Sequence, residues 1–293
     1  MRSNACVESP IEALLGRVAI APVSALLVDF DGTLAPFRVD PASVRPWSGV
    51  RELLERIQCA GRTTIAVVTG RPACETAPLL GIIPPPEVWG LHGAERLDAA
   101  GWLEQQTLEV EDREALAAVL ELLPLADLAR GVRIERKWNA ITVHWRGVSA
   151  RRVQATKARV MELFQQAAQT ARMRCMLFDG GVELCAGRNK GDAVRLILQG
   201  LAAATPVAYL GDDETDEDAF QALEGRGLGI LVRRRQRPTA AHAWLRPPGE
   251  LRDFLAAWLH ALVQGSRRPV AAAASDGSAA GCIESRTAGS ALG

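Results

Sequence analysis

The chain alternates short apolar runs with amphipathic helical stretches, and this alternation constrains its fold more than any other feature. Between the runs, apolar residues recur at helical spacing, as at Val50, Leu53, Leu54 and Ile57. Buried strands that alternate with helices are typical of a parallel sheet covered on both faces. We therefore predict an α/β core with a doubly wound, Rossmann-like parallel sheet. The predicted strands lie at 25–30, 63–68, 88–89, 207–210 and 228–232.

Between residues 107 and 186 the helices and strands are predicted to follow a different order. Two repeats of helix, strand, strand predict an antiparallel α+β (αββαββ) cap domain inserted into a core formed by residues 20–106 and 187–264. Residues 265–293 are rich in Ala, Ser and Gly and show no periodicity, so we expect a disordered tail. Within the cap we predict helices over 111–129 and 149–168, strands over 132–135, 141–145, 173–178 and 182–185, and a hairpin turn at Asp179-Gly180-Gly181.

Composition narrows the possible functions. Of the 293 residues 48% are apolar, which excludes a mostly disordered chain, and 34 basic residues balance 34 acidic ones, so no net field favours nucleic acid or an anionic membrane. Six cysteines follow no metal-binding spacing, and four of them, in or beside apolar runs, are predicted to be small buried thiols: Cys59, Cys74, Cys175 and Cys185. No signal-peptide pattern and no apolar stretch of about 18 residues are visible. We expect a soluble, cytoplasmic protein with no nucleic-acid or membrane partner, as a monomer or an oligomer of unknown order.

Polar side chains follow three of the predicted strands. The first strand leads into Asp29-Phe-Asp-Gly-Thr-Leu34, the second into Thr69-Gly-Arg71, and the fourth into Gly211-Asp-Asp-Glu-Thr-Asp-Glu-Asp218. In open α/β sheets, ligands bind beyond the carboxyl ends of the strands. We therefore expect these three segments to meet at one rim of the sheet.

The carboxylates in these segments suggest phosphoryl chemistry. Asp29 can act as a nucleophile and Asp31 as its acid/base partner, although the same residues also suit an Asx turn that closes a strand. Asp212 and Asp216, four residues apart, share one face of a helix start. Crowded carboxylates favour a cation, and all-oxygen ligation suits Mg²⁺, whereas the structural alternative is an acidic helix N-terminus.

Two further residues suit a phosphate group. Thr69 offers a hydroxyl, with the backbone N–H groups around Gly70 beside it, and Lys190 opens a helix where its ammonium can pair with phosphate and nucleophile. Alternatively, Thr-Gly merely ends a strand and Lys190 is exposed to solvent. Taken together, the segments describe metal-assisted phosphoryl transfer in which Asp29 attacks in line.

The same segments resemble, in order, the four motifs of the haloacid dehalogenase superfamily. They are DFDGTL at 29–34, VVTGR at 67–71, Lys190 and GDDETDED at 211–218, and the resemblance covers residues 24–263. It implies that Asp29 forms an aspartyl-phosphate while Asp31 protonates the leaving group and then activates water. It also implies that Thr69 and Lys190 hold phosphate. Mg²⁺ would be bound by Asp29, the backbone carbonyl of Asp31 and Asp212, supported by Asp213 or Asp216.

A finer resemblance is to the trehalose-6-phosphate phosphatase family. It rests on DFDGTLAPF followed by Asp40-Pro41, on GLHGAE at 90–95, on IERK at 134–137 leading to VHW at 143–145, and on Val182-Glu183 before GRNKG at 187–191. The resemblance implies a Mg²⁺-dependent phosphoric monoester hydrolase, a trehalose-phosphatase, whose small-molecule substrate is the sugar phosphate trehalose 6-phosphate.

On this resemblance, Glu135, Lys137 and Glu183 of the cap are candidate sugar ligands, and Gly70 and Arg71 also bind substrate. The alternative for the three cap residues is an ordinary ion pair on a strand face.

Two further positions bear on this resemblance. Trp138-Asn139 stands where the family pattern has small residues, a departure that could alter sugar choice. His92 is interpreted as a satisfied histidine in a turn, with shaping of the site as the alternative.

Other functions stay open. The nearest alternative is a phosphatase for another sugar or glycosyl phosphate, such as glucosylglycerol phosphate or sucrose 6-phosphate. A catalytically silent sugar-phosphate sensor or partner subunit is disfavoured because Asp29, Asp31, Lys190 and Asp212 are all present. Phosphomutase, ATPase and dehalogenase chemistry are disfavoured too. The arginine-rich run 233–237 is interpreted as a solvated loop.

Overall fold

The computed structural model describes residues 9–123, 128–170, 172–178 and 180–266. Residues 267–293 of the expected tail, Asp179 of the expected hairpin turn, Cys6 and Cys282 lie outside the described residues. The helices are α1 (Pro10–Ile20), α2 (Val50–Cys59), α3 (Ala73–Leu80), α4 (Val110–Leu122), α5 (Ala150–Thr170), α6 (Lys190–Gln199), α7 (Glu217–Ala222) and α8 (Gly249–Ser266). The strands are β1 (Ser24–Val28), β2 (Thr63–Val68), β3 (Glu87–Gly90), β4 (Glu95–Leu97), β5 (Leu103–Gln105), β6 (Arg133–Arg136), β7 (Ala140–His144), β8 (Met173–Phe178), β9 (Gly181–Ala186), β10 (Val207–Gly211), β11 (Leu228–Val232) and β12 (Ala243–Leu245).

The larger sheet has the strand order β12-β11-β10-β1-β2-β3-β4-β5. From β12 to β3 the strands are parallel, and β4 and β5 add an antiparallel edge. Every residue of β1 is buried, with Leu26 in the apolar cluster on one face of the sheet and Leu27 in the cluster on the other. The fold is therefore the predicted doubly wound α/β sheet. Its strand order reverses between β1 and β10, which is where such sheets bind ligands.

The smaller sheet is antiparallel, in the order β6-β7-β9-β8. Its residues alternate between two faces. Ile141, Val143 and Leu184 pack with α4 and α5 in an apolar cluster of their own. Thr142 and Glu183, directly paired across β7 and β9, lie on the opposite face. The alternation thus leaves one polar face, and that face lies over the carboxyl ends of the parallel strands, as described below.

The structure departs from the predicted elements in several places. Helix α4 ends at Leu122 rather than at residue 129, because Leu123 precedes a proline and takes an extended conformation. Helix α1 packs Leu14 and Val18 into the main apolar cluster, so the core includes residues before 20. Helix α8 extends to Ser266, so the first two residues of the expected tail are helical. Strands β4, β5 and β12 were not predicted. Cys185 is buried as predicted, whereas Cys59 and Cys74 are exposed because they lie on the solvent-facing sides of α2 and α3.

None of the described helices is both long enough and apolar enough to cross a bilayer.

Candidate active site

The carboxyl ends of β1 and β10 place three buried carboxylates together. The Asp29 backbone N–H donates to the carbonyl of Leu210 (2.8 Å), so the strand ends lie side by side. Carboxylate oxygens of Asp29, Asp212 and Asp216 lie within 4.8 Å of one another, and each residue is at most 3% exposed. The acids predicted to share one rim do so.

Lys190 lies between two of these acids. Its Nζ is 2.7 Å from Asp29 Oδ1 and 2.8 Å from Asp216 Oδ1. The lysine is buried, which excludes the alternative of a solvent-exposed side chain. It is the first residue of α6, and a capping box between Asn189 and Asp192 fixes this helix start. Because the N-cap determines where α6 begins, it also determines where the Lys190 ammonium lies.

Asp216 has all its acceptor positions filled by protein donors. Its Oδ1 accepts from Lys190 and from the Tyr209 hydroxyl (2.6 Å), and its Oδ2 accepts from the N–H groups of Asp212 (2.9 Å) and Asp213 (3.0 Å). Burial opposes ionisation, but Lys190 and these donors hold the pKa of Asp216 below its usual range. The Asp216 carboxylate therefore orients the lysine and the acidic turn, a contact set that differs from the expected role as a metal ligand.

Asp29 and Asp212 are the acids with acceptor capacity left. Burial raises the pKa of Asp29 to about 7 despite Lys190, and burial together with the charge of Asp29 raises the pKa of Asp212. Within the described part of the chain, Asp212 Oδ1 is buried and has no hydrogen-bond partner. Gly32, at φ +90°, lies so close that a Cβ there would be 2.2 Å from Asp212 Oδ2. This oxygen-only, negatively charged pair fits a hard divalent cation such as Mg²⁺.

Asp31 is paired with Arg71 in a two-pronged ion pair. Arg71 Nε lies 2.5 Å from Asp31 Oδ2 and Nη2 lies 2.8 Å from Oδ1, while Nη1 donates to the carbonyl of Pro41. The backbone N–H of Arg71 donates to Thr69 Oγ1 (3.2 Å), which closes the turn after β2. Arg71 was predicted to bind substrate, and its described contacts instead hold the second aspartate.

Two residues of the arginine-rich run bind the acidic turn. Arg233 Nη1 donates to the carbonyl of Asp212 (3.0 Å), and Arg237 donates to the carbonyl of Asp213 (2.7 Å) and pairs with Glu217 (2.5 Å). The interpretation of this run as a merely solvated loop is wrong for these two residues. Their positive charge offsets the crowded acids of residues 212–217.

The smaller sheet supplies a second polar group. Glu183 Oε2 accepts from Lys137 Nζ (2.7 Å) and Thr142 Oγ1 (2.5 Å), and its Oε1 lies 3.1 Å from His92 Nε2. Lys137 Nζ also donates to the carbonyl of Gly70 (3.0 Å). Since His92 and Gly70 belong to the core, these contacts join the two sheets.

Charge pairing decides the protonation of this group. Burial opposes the ionisation of Glu183, but Lys137 and His92 hold its pKa far below the usual range. In turn, the charge of Glu183 raises the pKa of Lys137. Burial lowers the pKa of His92. Glu135 pairs separately with His144 (2.7 Å), and this bond lowers its pKa. Glu183 and Lys137 are therefore an ionised, buried pair.

The two polar groups face one cavity of about 200 Å³ between the sheets. The core side places carboxylates and an ammonium at its floor, and the cap side places hydrogen-bonding and charged groups opposite them. Predicted residues on the core side are Asp29, Asp31, Thr69, Gly70, Arg71, Lys190, Asp212 and Asp213, and those on the cap side are Glu135, Lys137 and Glu183. Such a lining suits a phosphate below and hydroxyl groups above.

The sequence interpretation missed Tyr209, whose hydroxyl binds Asp216, and the two arginines of the acidic turn. Tyr209 is the single tyrosine of the chain and stands in a fully buried strand, where its hydroxyl requires a partner. The need of a buried tyrosine hydroxyl for a partner could therefore have indicated Tyr209 from the sequence. His92 lies in a turn at a φ of +59°, as predicted, and its Nε2 is paired with Glu183 at the cavity.

The doubly wound sheet with a second α+β sheet inserted above its switch point is a fold shared with a haloacid dehalogenase-like hydrolase from B. subtilis, at a TM-score of 0.57 and 15% identity over 80% of this chain and 99% of that one. The family model described as trehalose-phosphatase matches residues 27–246. The chain belongs to this family.

Similar proteins agree with that assignment. A trehalose-phosphate phosphatase of Mycobacterium ulcerans is 30% identical over 80% of this chain and 60% of its own length. A probable trehalose-phosphate phosphatase 9 of Oryza sativa subsp. japonica is 30% identical over 78% of this chain and 68% of its own. The C-terminal domain of C. albicans trehalose-6-phosphate phosphatase shares the fold, with a TM-score of 0.73 at 22% identity over 88% of this chain and 99% of that one. The chain thus spans about 60% of the length of the mycobacterial relative.

Proposed function

We propose that the protein is a Mg²⁺-dependent phosphatase that hydrolyses trehalose 6-phosphate to trehalose and phosphate in trehalose biosynthesis. The observation that carries this proposal is the Asp29–Lys190 pair at the floor of a cavity whose roof holds the ionised Lys137–Glu183 pair. The names of the relatives support the substrate. The division into a core and a cap (107–186), and a cytoplasmic location, belong to the same proposal; helices α1 and α8 widen the expected core of 20–106 and 187–264 to 10–106 and 187–266.

In the first step, Asp29 attacks the phosphorus atom. Because Lys190 binds Oδ1, Oδ2 is the attacking oxygen. The new Oδ2–P bond forms as the bond between phosphorus and the sugar oxygen breaks. Asp31, as an acid, gives its proton to that oxygen, which releases trehalose and leaves an aspartyl-phosphate. Arg71 binds both oxygens of Asp31, so this pair opens before Asp31 reaches the leaving oxygen.

In the second step, the Asp31 carboxylate takes a proton from water. The water oxygen attacks phosphorus, the Oδ2–P bond breaks, and phosphate leaves with the Asp29 carboxylate restored. Lys190 and the turn at Thr69 and Gly70 bind the phosphate oxygens in both steps. The cap closes over the sugar and excludes bulk water.

In this proposal Mg²⁺ would neutralise charge, and the chain's own residues would carry out the bond-making and proton-transfer steps. Mg²⁺, held by Asp29, Asp212 and the backbone carbonyl of Asp31, neutralises charge on the transferring phosphoryl group when it is bound. Asp213 lines the cavity beside these residues, and its Oδ1 accepts from the N–H of Glu214. Asp216 orients Lys190 through the bond between its Oδ1 and the lysine Nζ.

The deciding experiment measures phosphate release from trehalose 6-phosphate beside glucose 6-phosphate, sucrose 6-phosphate and glucosylglycerol phosphate, with Mg²⁺ and with a chelator. We expect a strong, chelator-sensitive preference for trehalose 6-phosphate. Turnover of a different sugar phosphate would keep the chemistry and contradict the substrate. No release from any of them by a folded protein would favour the silent sensor.

Replacing the proposed nucleophile tests the mechanism. Asp29→Asn removes the attacking carboxylate, and we expect phosphate release to fall at least about a thousandfold, as for other covalent nucleophiles. The matched control is Asp253→Asn, the same change at an exposed position of α8, which should keep wild-type activity. Comparable activity in Asp29→Asn and the control would refute the assignment.

A further inference from the structure

The turn between β6 and β7 contacts the core through a residue that the proposed mechanism does not use. The indole Nε1 of Trp138 donates to Glu95 Oε1 across a distance of 3.0 Å. The side chain of Trp138 is 37% exposed. This bond is one of a few polar links between the two sheets in the described part of the chain.

The acceptor of this bond is rigidly placed. Glu95 lies in β4 and is 5% exposed, and its Oε2 accepts from the backbone N–H of Ala73, the first residue of α3. Gln105 of the neighbouring strand donates to Oε1. Since α3 begins just after the turn at Thr69, Glu95 connects Trp138 to the part of the core that we propose binds phosphate.

The neighbour of Trp138 in the chain reaches the same part of the core. Lys137 Nζ binds the carbonyl of Gly70 as well as Glu183 Oε2. Lys137 and Trp138 are consecutive, so the position of the indole limits where the lysine can lie. A bond from an N–H to a buried carboxylate is charge-assisted and stronger than a neutral one.

We propose that Trp138 is a positioning residue of the cap. Its bond to Glu95 holds the turn of residues 137–139 on the core, and thereby holds Lys137 and Glu183 over the phosphate-binding turn, where the sugar of the substrate lies. The identity of that sugar phosphate rests on the proposed function, whereas the contact itself does not.

The kinetic test compares two substrates that differ in their need for the cap. Trp138→Phe keeps an aromatic ring and removes the N–H. We expect kcat/KM for trehalose 6-phosphate to fall about tenfold, mainly through KM, because a hydrogen bond to a charged group is lost and the competent state is less populated. Hydrolysis of p-nitrophenyl phosphate, which has no sugar, should keep its wild-type kcat/KM.

The matched control is Trp102→Phe, at a tryptophan that is 78% exposed, which should change neither substrate. Equal losses on both substrates in Trp138→Phe would indicate general damage to the core and overturn the proposal. An unchanged KM for trehalose 6-phosphate would overturn it as well.

A second measurement needs no turnover. The ¹H–¹⁵N spectrum of the full chain shows indole N–H signals from seven tryptophans, and the two variants assign those of Trp138 and Trp102. We expect the Trp138 N–H to exchange with water more slowly than that of Trp102 and to resonate downfield of it. Equal exchange rates would overturn the contact. Because this result does not depend on activity, it separates failure of the contact from failure of the proposed substrate.

Discussion

Lys190 is the one ammonium among three buried carboxylates at the end of β1 and β10, within the described residues. It neutralises Asp216 and shares its charge with Asp29, and Asp212 keeps an unpaired oxygen. A surplus of buried negative charge destabilises a folded protein unless the acids bind protons or a cation. The same surplus makes the site suited to a metal and sensitive to pH.

This surplus predicts how the stability of the metal-free protein depends on pH. The folded pKa of Asp29, about 7, lies above its unfolded value of about 3.8, and that of Asp212 is raised too. Between these values the folded state binds more protons than the unfolded state, so the contribution of these acids to stability falls as pH rises from about 4 towards 7. In chelator, Tm should therefore fall over this range by more in the wild type than in Asp212→Asn.

The comparison isolates Asp212 and its effect on Asp29, because the two proteins share all other titrating groups. Added Mg²⁺ should raise the wild-type Tm more as pH rises towards neutral, because fewer protons then compete with the cation for the carboxylates. Parallel pH profiles for the wild type and Asp212→Asn would contradict the argument.

At this scale, sequence alone identified the residues better than their roles. Asp212 and Asp216, four apart, look equivalent on a helix. The structure separates them because residues 214–216 form a tight 3-10 turn that directs Asp216 back onto the N–H groups of Asp212 and Asp213. Arg71 stays a predicted substrate residue and lines the cavity, but its bond to Asp31, 40 residues earlier, could not be predicted from the pattern.

Among the elements, α6 has the most direct link between local structure and chemistry. Its N-cap Asn189 accepts from the Asp192 N–H (2.8 Å), and Asp192 accepts from that of Asn189 (2.9 Å). This reciprocal pair determines where the helix begins and hence where Lys190 points. An N-cap usually affects only its own helix, but the first residue of α6 is Lys190, so this cap also affects the site.

Removal of that cap gives a prediction with a matched control. Asn189→Ala should lower the free energy of unfolding by about 1 kcal/mol, and so should Ser9→Ala, which removes the same kind of capping box from α1. Only Asn189→Ala should also lower kcat, because only it loosens Lys190. Denaturant titrations and phosphate release measure the two effects. Equal kcat values in both variants would show that the cap does not position the lysine.

The elements that sequence predicted are those with enough residues to show a period. Strands β1, β2, β10 and β11 are runs of five or six mostly buried residues, and the α/β rhythm follows from them. Strands β4, β5 and β12 have three residues each, too few to show an alternation, and all of β5 is exposed. Their pairing depends on neighbouring strands rather than on their own side chains.

The whole molecule has separate apolar clusters beneath its two sheets. Phe164 of α5 is fully buried among side chains of the smaller sheet, and Phe254 of α8 is buried in the main cluster of the larger one. The cavity lies between them and is polar. The two sheets are therefore joined at the site by hydrogen bonds and ion pairs more than by shared apolar packing.

This arrangement predicts that the two parts lose stability separately. Truncation of a buried Phe to Ala costs about 3–5 kcal/mol. Phe164→Ala should shift an early transition in a denaturant titration and abolish sugar phosphate turnover, while Phe254→Ala should shift the transition of the larger sheet. Far-UV circular dichroism and tryptophan fluorescence follow both. A single transition shifted equally by both variants would show that the sheets unfold as one unit.

The insertion of the smaller sheet between β5 and α6 also delays the pairing of β1 with β10 during synthesis. Strand β1 pairs with β10 in register Ala25 to Val207, so the strand that leads into the proposed nucleophile is made long before its neighbour. On a ribosome that adds about 5–20 residues per second, β1 waits on the order of ten seconds for β10. During that interval the backbone N–H and C=O groups on that edge of β1 lack their partner strand. On the proposed function, the nascent chain cannot cleave a phosphate ester until its acidic turn emerges.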